Sequence, residues 1–496
     1  MLISVSVDDT VPIDVISTAV AGVLEGAGVT HGQADRAKIA VEGLVFDARQ
    51  RPRVSVATSA VTVEVELRGD SAVVRVIDFR APEVNVSASS AMPQALLADG
   101  VIDQFTFGSQ GKDGNRAECQ IRLGRNPGLA AESEGAPAGV AVRPPALRQD
   151  VERVDDDRVD LLEFRPAGPD DAEAIVECVY RCYGYTYPTP AFYQPDAIAR
   201  MMTDGSLHSC VAVEPEGAVV GHAAFIYSDA MGRTPEAGVL LVDPRYRGHR
   251  IAERLAELRR GIAIDARVPG FWLECVTNHP ASQREVLSQG GTAVGLLVAV
   301  DPPDFAMSGF DHSADERMSL LPMIVPLTDH HAGTVHVPAS LAEPLRRCAD
   351  EAGLSRTIDD TVTQPNGLTV LRVRLDVPLA VAHILVDRIG PDAEERIHAE
   401  VDALVEAQPH SVHVDVPLFD PAAGWLLDRL LDHGYVWASW LPGAREEGDV
   451  LRVQQVNSAA VDGASIQCAS DHGRWLCDWI LDRWQLARDA DDEAKR

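Results

Sequence analysis

Hydrophobic positions along the chain change period several times, and each change marks an element. Val54–Leu67 and Ser71–Asp78 alternate apolar and polar residues, which predicts two half-buried strands. A strand and two helices, Asp14–Glu25 and Gln33–Asp47, precede them; a helix and a last strand, Ala117–Leu123, follow. The pattern lapses over 124–160 and resumes with a strand, Leu161–Arg165. Next come a helix from Asp170 and Asp171 through Cys182, with Ile175, Val176 and Val179 on one face, and another near Pro195–Met202. Strands His208–Val213, Val219–Tyr227 and Ala237–Asp243 lead to a helix reaching Ile264, a strand Phe271–Val276 and a helix from Asn278 to Gly290. A fresh apolar run opens at Met318–Leu327. Beyond it lie strands Leu368–Leu375 and Ala380–Val386, helix Pro391–Ala407, strand Ser411–Pro417, helix Pro421–Asp432, then Gly434–Trp437 and Leu451–Val456. Trp475, Trp479, Ile480 and Trp484 recur at helical spacing over His472–Ala487, which predicts a helix docked on the body or a partner-binding element.

A chain of 496 residues exceeds one hydrophobic core, and 46% apolar residues allow each of about three domains a normal interior. Gly, Pro, Ala and acidic residues fill 124–160, too little apolar surface to order a segment, so a linker is expected there. The longest uncharged apolar run, Gly290–Val300, is far short of the ~20 residues that span a bilayer. The N-terminus lacks a basic region and a continuous apolar stretch, so the expectation is a cytoplasmic protein with no membrane association. A net charge of −31 repels phosphate backbones and excludes nucleic acid as a partner. The same charge either draws in a cationic amine or only keeps the protein in solution. The eight cysteines contain no C-x-x-C pair, and no metal site is expected. Cys178 and Cys182, one helical turn apart, are either small hydrophobes on a buried face or a redox or metal pair.

The order of elements in 1–123, with Gly111–Asn115 before the final strand, resembles the ATP-binding domain of anti-sigma-factor kinases, the Bergerat fold. That resemblance implies a nucleotide site and a protein partner. Where the family carries E-x-x-x-N-A, this chain has Gly43 to Ala48, with Asp47 in place of the Mg²⁺-holding Asn. Where it carries D-x-G-x-G, Asp78 to Pro82 keep only the Asp. A side chain now projects where backbone must approach a nucleotide, so ATP hydrolysis is not expected. Asp78 is left to hydrogen-bond an adenine or to persist as a structural remnant.

The stretch Glu236 to Leu255 resembles the strand, loop and helix of the GNAT N-acyltransferases, whose pattern Q/R-x-x-G-x-G/A is matched by Arg247, Gly248, His249, Arg250, Ile251 and Ala252. Arg250 stands where the family has a glycine. A loop opening a helix points free N–H groups at one spot, to which the helix dipole adds positive potential, and a pyrophosphate binds there. The resemblance implies acetyl-CoA or another acyl-CoA, its pantetheine lying along Leu240, Leu241 and Val242 as an added strand. A second cofactor segment is implied at Asn278 and Ser282. The Tyr with which the family protonates the leaving thiolate falls on Val286. Glu236 is the implied general base, and Tyr183, Tyr185 and Tyr187 border the implied acceptor site.

The C-terminal third repeats the element order of the middle third, and Asp432-His433-Gly434-Tyr435 resembles a GNAT helix end. Asp387 to Asp392 lack the phosphate pattern, and Pro391 removes one donor. The expected fold is α/β (α+β): a Bergerat-like α/β sandwich (1–123), a linker (124–160), a GNAT domain (161–304), a degenerate GNAT-like domain (316–457) and a helical tail (458–496). The expected activity is acyl transfer from acetyl-CoA to a small-molecule or protein amine. The alternative is a non-catalytic regulatory or acyl-CoA-sensing protein with an anti-sigma-like module.

Overall fold

The computed structural model describes residues 2–51, 60–80, 91–109, 114–123, 153–227, 234–302, 317–328, 333–376, 379–404, 408–457, 461 and 463–494. Most of the expected linker, residues 111–113 and the expected boundary between 304 and 316 lie outside them.

The N-terminal sheet is antiparallel throughout, in the order β1-β2-β3-β5-β4. Its strands are β1 (Ile3–Val7), β2 (Val61–Arg68), β3 (Ser71–Asp78), β4 (Gln104–Ser109) and β5 (Asn115–Arg122). The alternation seen in the sequence is realised: Val61, Val63 and Val65 of β2 and Val74 and Val76 of β3 turn inward. They meet Val20, Leu24, Val41 and Leu44 of α1 (Ile13–Gly26) and α2 (His31–Gln50), and Leu96 of α3 (Ala91–Ala98). A capping box between Thr30 and Gln33 starts α2. The edge strand β4 has no counterpart among the elements read from the sequence.

The middle sheet runs β11-β13-β10-β9-β8-β7-β6: β6 (Glu163–Pro166), β7 (Leu207–Val213), β8 (Val219–Ile226), β9 (Glu236–Val242), β10 (Gly270–Val276), β11 (Thr292–Ala293) and β13 (Met318–Pro326). A further strand, β12 (Leu297–Asp301), also pairs with β13. All its pairs are antiparallel except β9 with β10, which need a crossover, and α7 (Ile251–Asp265) supplies it. A one-turn helix, α4 (Asp156–Val159), precedes β6. On one face α5 (Ala172–Tyr183) packs on Val239 and Leu241, beside α6 (Pro195–Asp204); on the other, Ile251 and Leu255 of α7 pack on Val220 and Ala223. Met318–Leu327, expected to open the last domain, instead supplies β13, whose register with β10 runs from Gly270↔Pro326 to Val276↔Leu320.

The C-terminal sheet has the order β16-β17-β18-β20-β19, from β16 (Val370–Asp376), β17 (Val381–Arg388), β18 (Ser411–Pro417), β19 (Val436–Leu441) and β20 (Val450–Val456); only β17 and β18 are parallel. α10 (Ala393–Ala403) and α11 (Ala423–Asp432) connect its strands. α9 (Ala339–Glu351) links the short parallel strands β14 (Thr334–His336) and β15 (Thr357–Asp359), and α12 (Asp471–Ala494) closes the chain. The middle and C-terminal sheets are stitched by backbone. Leu296 N–H donates to the Ala438 carbonyl (2.9 Å) and Trp440 N–H to that of Val294 (3.0 Å). One apolar core consequently runs from Phe225 to Trp484. Among the described residues no helix is long and apolar enough to cross a membrane.

Candidate active site

The strands β9 and β10 pair at one position only, Glu236↔Trp272, supported by Trp272 N–H to the Pro235 carbonyl at 3.1 Å. Beyond it they diverge, so β9 and β10 form a fork with Glu236 at its closed end. One prong is bent. Val239 has φ +53, and the β8–β9 register slips there, which makes a bulge. His222 holds it: one ring nitrogen meets the Val239 carbonyl at 3.0 Å and the other the Ser209 hydroxyl at 2.9 Å. Burial pushes His222 down to about 4, so it serves as a neutral strut.

The end of β9 turns through Asp243, whose carboxylate accepts from Arg245 N–H (3.0 Å) and from Arg181 Nε (2.8 Å). Burial opposes its charge, yet these bonds hold it below the ordinary carboxylate range. Gly248 follows with φ +94, a conformation that favours glycine, and a Cβ there would meet nothing closer than Arg153 Nη1 at 3.5 Å. Arg250 takes the left-handed conformation expected of the missing glycine, at φ +59. Its exposed side chain turns away to pair with Glu253 (2.5 Å), so it does not crowd the loop. Ile251 is buried and anchors the start of α7, and the first helical bond is Arg254 N–H to the Arg250 carbonyl. The N–H groups of Ile251, Ala252 and Glu253 therefore lie ahead of any intrahelical partner. The end of the expected linker lies against this loop: Val154 N–H donates to the Arg245 carbonyl (3.1 Å), and His249 pairs with Asp156 (3.0 Å).

Glu236 and Glu274, both half-buried, flank the closed end of the fork. Burial raises Glu236, and the Arg452 guanidinium works the other way. Burial and then the charge of Glu236 push Glu274 up to about 8, again opposed by Arg452. Arg452 comes from β20 of the C-terminal sheet, where Asp415 holds it by two bonds of 2.7 and 2.9 Å. The sequence reading missed Glu274 and Arg452; the signal was a lone charge in each strand, Glu274 in an otherwise apolar one and Arg452 in one that also carries Gln454 and Gln455.

Of the three tyrosines, two stay with the fork. Tyr183 lies within electrostatic reach of Arg247 and Tyr187 of Glu236, and their rings are 5.5 Å apart. Tyr185 departs from its expected place. It is buried against the N-terminal module, its hydroxyl donating to Asn115 Oδ1 at 2.7 Å. Leu240 and Val242 are half-buried along β9, and Leu241 is buried. On the other prong, the Asn278 carbonyl accepts from Gln467 (2.9 Å) and Ser282 sits in the first turn of α8 (Ala281–Ser288). Val286, where the family's Tyr would stand, is buried in the core.

Residues 172–290 match the family described as Acetyltransferase (GNAT) family, and the chain thus carries a GNAT acetyltransferase domain over the fork and its loop. A search of curated proteins finds no match. Among solved structures, the chain is similar to the ribosomal-protein-S18-alanine N-acetyltransferase from Escherichia coli, at 15% identity over 34% of this chain and 94% of that one (TM-score 0.27). It is also similar to the ribosomal-protein-S5-alanine acetyltransferase from Vibrio fischeri, at 13% identity over 34% and 96% (TM-score 0.28). A third is Arabidopsis thaliana NAA60, at 17% identity over 33% and 96% (TM-score 0.25).

Proposed function

We propose that the chain is an acyl-CoA-dependent N-acyltransferase that moves an acyl group, acetyl in the simplest case, to an amine. The observation that carries this reading is the β9–β10 fork with a carboxylate at its closed end. The residues present suit an acyl-CoA. The open edge of β9 from Gly238 to Val242 offers N–H and C=O groups to the amides of a pantetheine. At its far end the left-handed Gly248 and the N–H groups of Ile251 and Ala252, which have no intrahelical partner, suit a pyrophosphate, with Arg247 and Arg153 adding positive charge. The donor supplies an activated thioester; the protein's part is to orient it and handle a proton.

An ammonium must lose a proton before it attacks, and Glu236, directly or through water, accepts it. Glu274 shares that proton, since the charge of Glu236 raises the pKa of Glu274 and the two carboxylates do not both ionise easily. The leaving thiolate, with a conjugate acid near pKa ~8.5, departs without a positioned acid, which fits an apolar Val286. The net charge of −31 and the tyrosine pair at the fork favour a cationic acceptor.

We read residues 333–457, the part of the expected 316–457 domain that lies beyond β13, as including a degenerate second copy of this architecture. The antiparallel, parallel, antiparallel succession β8-β9-β10-β13 recurs as β16-β17-β18-β20. Its loop is closed: Gly390 N–H donates to Thr369 Oγ1 (3.1 Å), and a Cβ on Gly390 would lie 2.5 Å from the Thr369 nitrogen. This copy shapes the fork by supplying Arg452. The test is Glu236→Gln, with an acceptor found by screening amines. Turnover is expected to fall ~10²-fold or more while acetyl-CoA affinity by calorimetry holds. Full activity in the variant across pH moves the base elsewhere, and absence of acetyl-CoA binding in the unaltered protein overturns the reading.

A further inference from the structure

Away from the fork, the two helices that connect strands of the C-terminal sheet bring together residues the sequence keeps apart. Glu394 and His398 are one turn apart on one face of α10. His433 stands just past the last turn of α11. One ligand atom from each of the three lies within 4.8 Å of the others. The two imidazole rings meet edge to face, 4.3 Å between centroids, and His433 Nε2 is 2.9 Å from Glu394 Oε1.

We propose that Glu394, His398 and His433 form a binding site for a divalent transition-metal ion, zinc in the first instance, that clips α10 to α11. Two imidazoles and one carboxylate are a borderline ligand set that suits Zn²⁺, with water left to fill the remaining position on the exposed side. Four ligands at ~2.0–2.2 Å from a tetrahedral ion stand ~3.3 Å apart, so a spread of up to 4.8 Å needs only a small inward rotation, which the exposed His433 can make. The outer contacts are set for the purpose. Arg429 Nε pairs with Glu394 through the other oxygen, Oε2, at 3.1 Å, which orients the carboxylate and leaves Oε1 facing the histidines. Gln455 Nε2 donates to the His433 carbonyl at 3.2 Å and fixes the backbone from which that ring projects. The metal's role is to add a tie between two helices that follow one another along the chain with β18 between them.

The test uses the full chain after treatment with a chelator. Calorimetry with ZnCl₂ should show one site, and zinc should raise the thermal midpoint. His398→Ala and His433→Ala should each weaken binding by about tenfold or more and abolish the thermal shift, while both fold as judged by circular dichroism without metal. Substitution by Co²⁺ should give a spectrum without a thiolate-to-metal band. Three results overturn the proposal: no zinc binding by the unaltered chain, binding undiminished in both variants, or a thiolate band, which moves the metal to cysteines such as Cys468 and Cys477.

Discussion

At the scale of single residues, the fork is defined by two carboxylates that serve it differently. Glu236 was legible in the sequence because it heads the strand leading to the glycine-bearing loop. Glu274 was not, because its place opposite Glu236 exists only once the strands pair at Trp272 and diverge, and the cation that tempers both comes from the far C-terminal sheet. Its raised pKa gives a prediction with a definite sign. Glu274 is lifted from the ordinary carboxylate range to about 8, so the folded protein holds this proton more tightly than the unfolded chain. The associated stability is complete at low pH and is lost as pH rises through about 8. On the proposed mechanism, the pair's readiness to accept a proton from substrate runs the opposite way and grows over the same window. Glu274→Gln should therefore move the rising limb of the kcat/KM profile to lower pH, and flatten the decline in thermal midpoint between about pH 5 and 8. A profile and a midpoint curve identical to those of the unaltered protein would remove Glu274 from the proton pair.

At the scale of elements, local pattern recovered most strands and helices of the middle and C-terminal sheets, because their periods are set by which face is buried. Pairing was less legible. The polar stretch before Met318 reads as a boundary, yet β13 returns to β10, since an apolar strand buried on both faces carries no local mark of its partner. The join between the two sheets was equally hidden. It depends on Gly295, which bridges to Ser439; a Cβ there would fall 1.9 Å from the Ala438 carbonyl oxygen and 2.7 Å from Ser439 Cα. Both are backbone atoms bound into the strand pair and cannot swing aside. Gly295→Ala is expected to cost about 3 kcal/mol or more in urea unfolding and to lower activity by displacing Arg452. Gly261→Ala is the control: that glycine lies within α7 with nothing within 4 Å, and the change should be neutral or stabilise by about 0.5–1 kcal/mol. Equal effects at the two sites would mean that the seam gives way easily.

At the scale of the whole molecule, the N-terminal module and the acetyltransferase domain meet where the sequence left a nucleotide as one possibility. Asp78 is fully buried and, among the described residues, accepts from Arg51 Nη2 at 2.5 Å, the Arg80 N–H at 3.0 Å and Asn115 Nδ2 at 3.0 Å. Asn115 in turn accepts from Tyr185, and Tyr180 donates to the Phe79 carbonyl at 2.9 Å, so the end of α5 and the loop after it pack against the residues that surround Asp78. Most elements of the module, though not the edge strand β4, were readable from alternation and helical period. The docking was not, because tyrosines that follow a helix look the same whether they face a substrate or a neighbouring domain. The expected outcome is that the full chain neither binds Mg-ATP in calorimetry nor releases phosphate from it. Asp78→Asn should instead act on stability. Removing one partner of a buried ion pair leaves the Arg51 charge short of its compensation, a loss of about 3–5 kcal/mol, reduced here because Asp47 also reaches Arg51 at 3.1 Å. If the unaltered chain binds Mg-ATP, and Asp78→Asn abolishes that binding while the urea midpoint stays where it was, Asp78 is a nucleotide ligand and the interface must open to admit it.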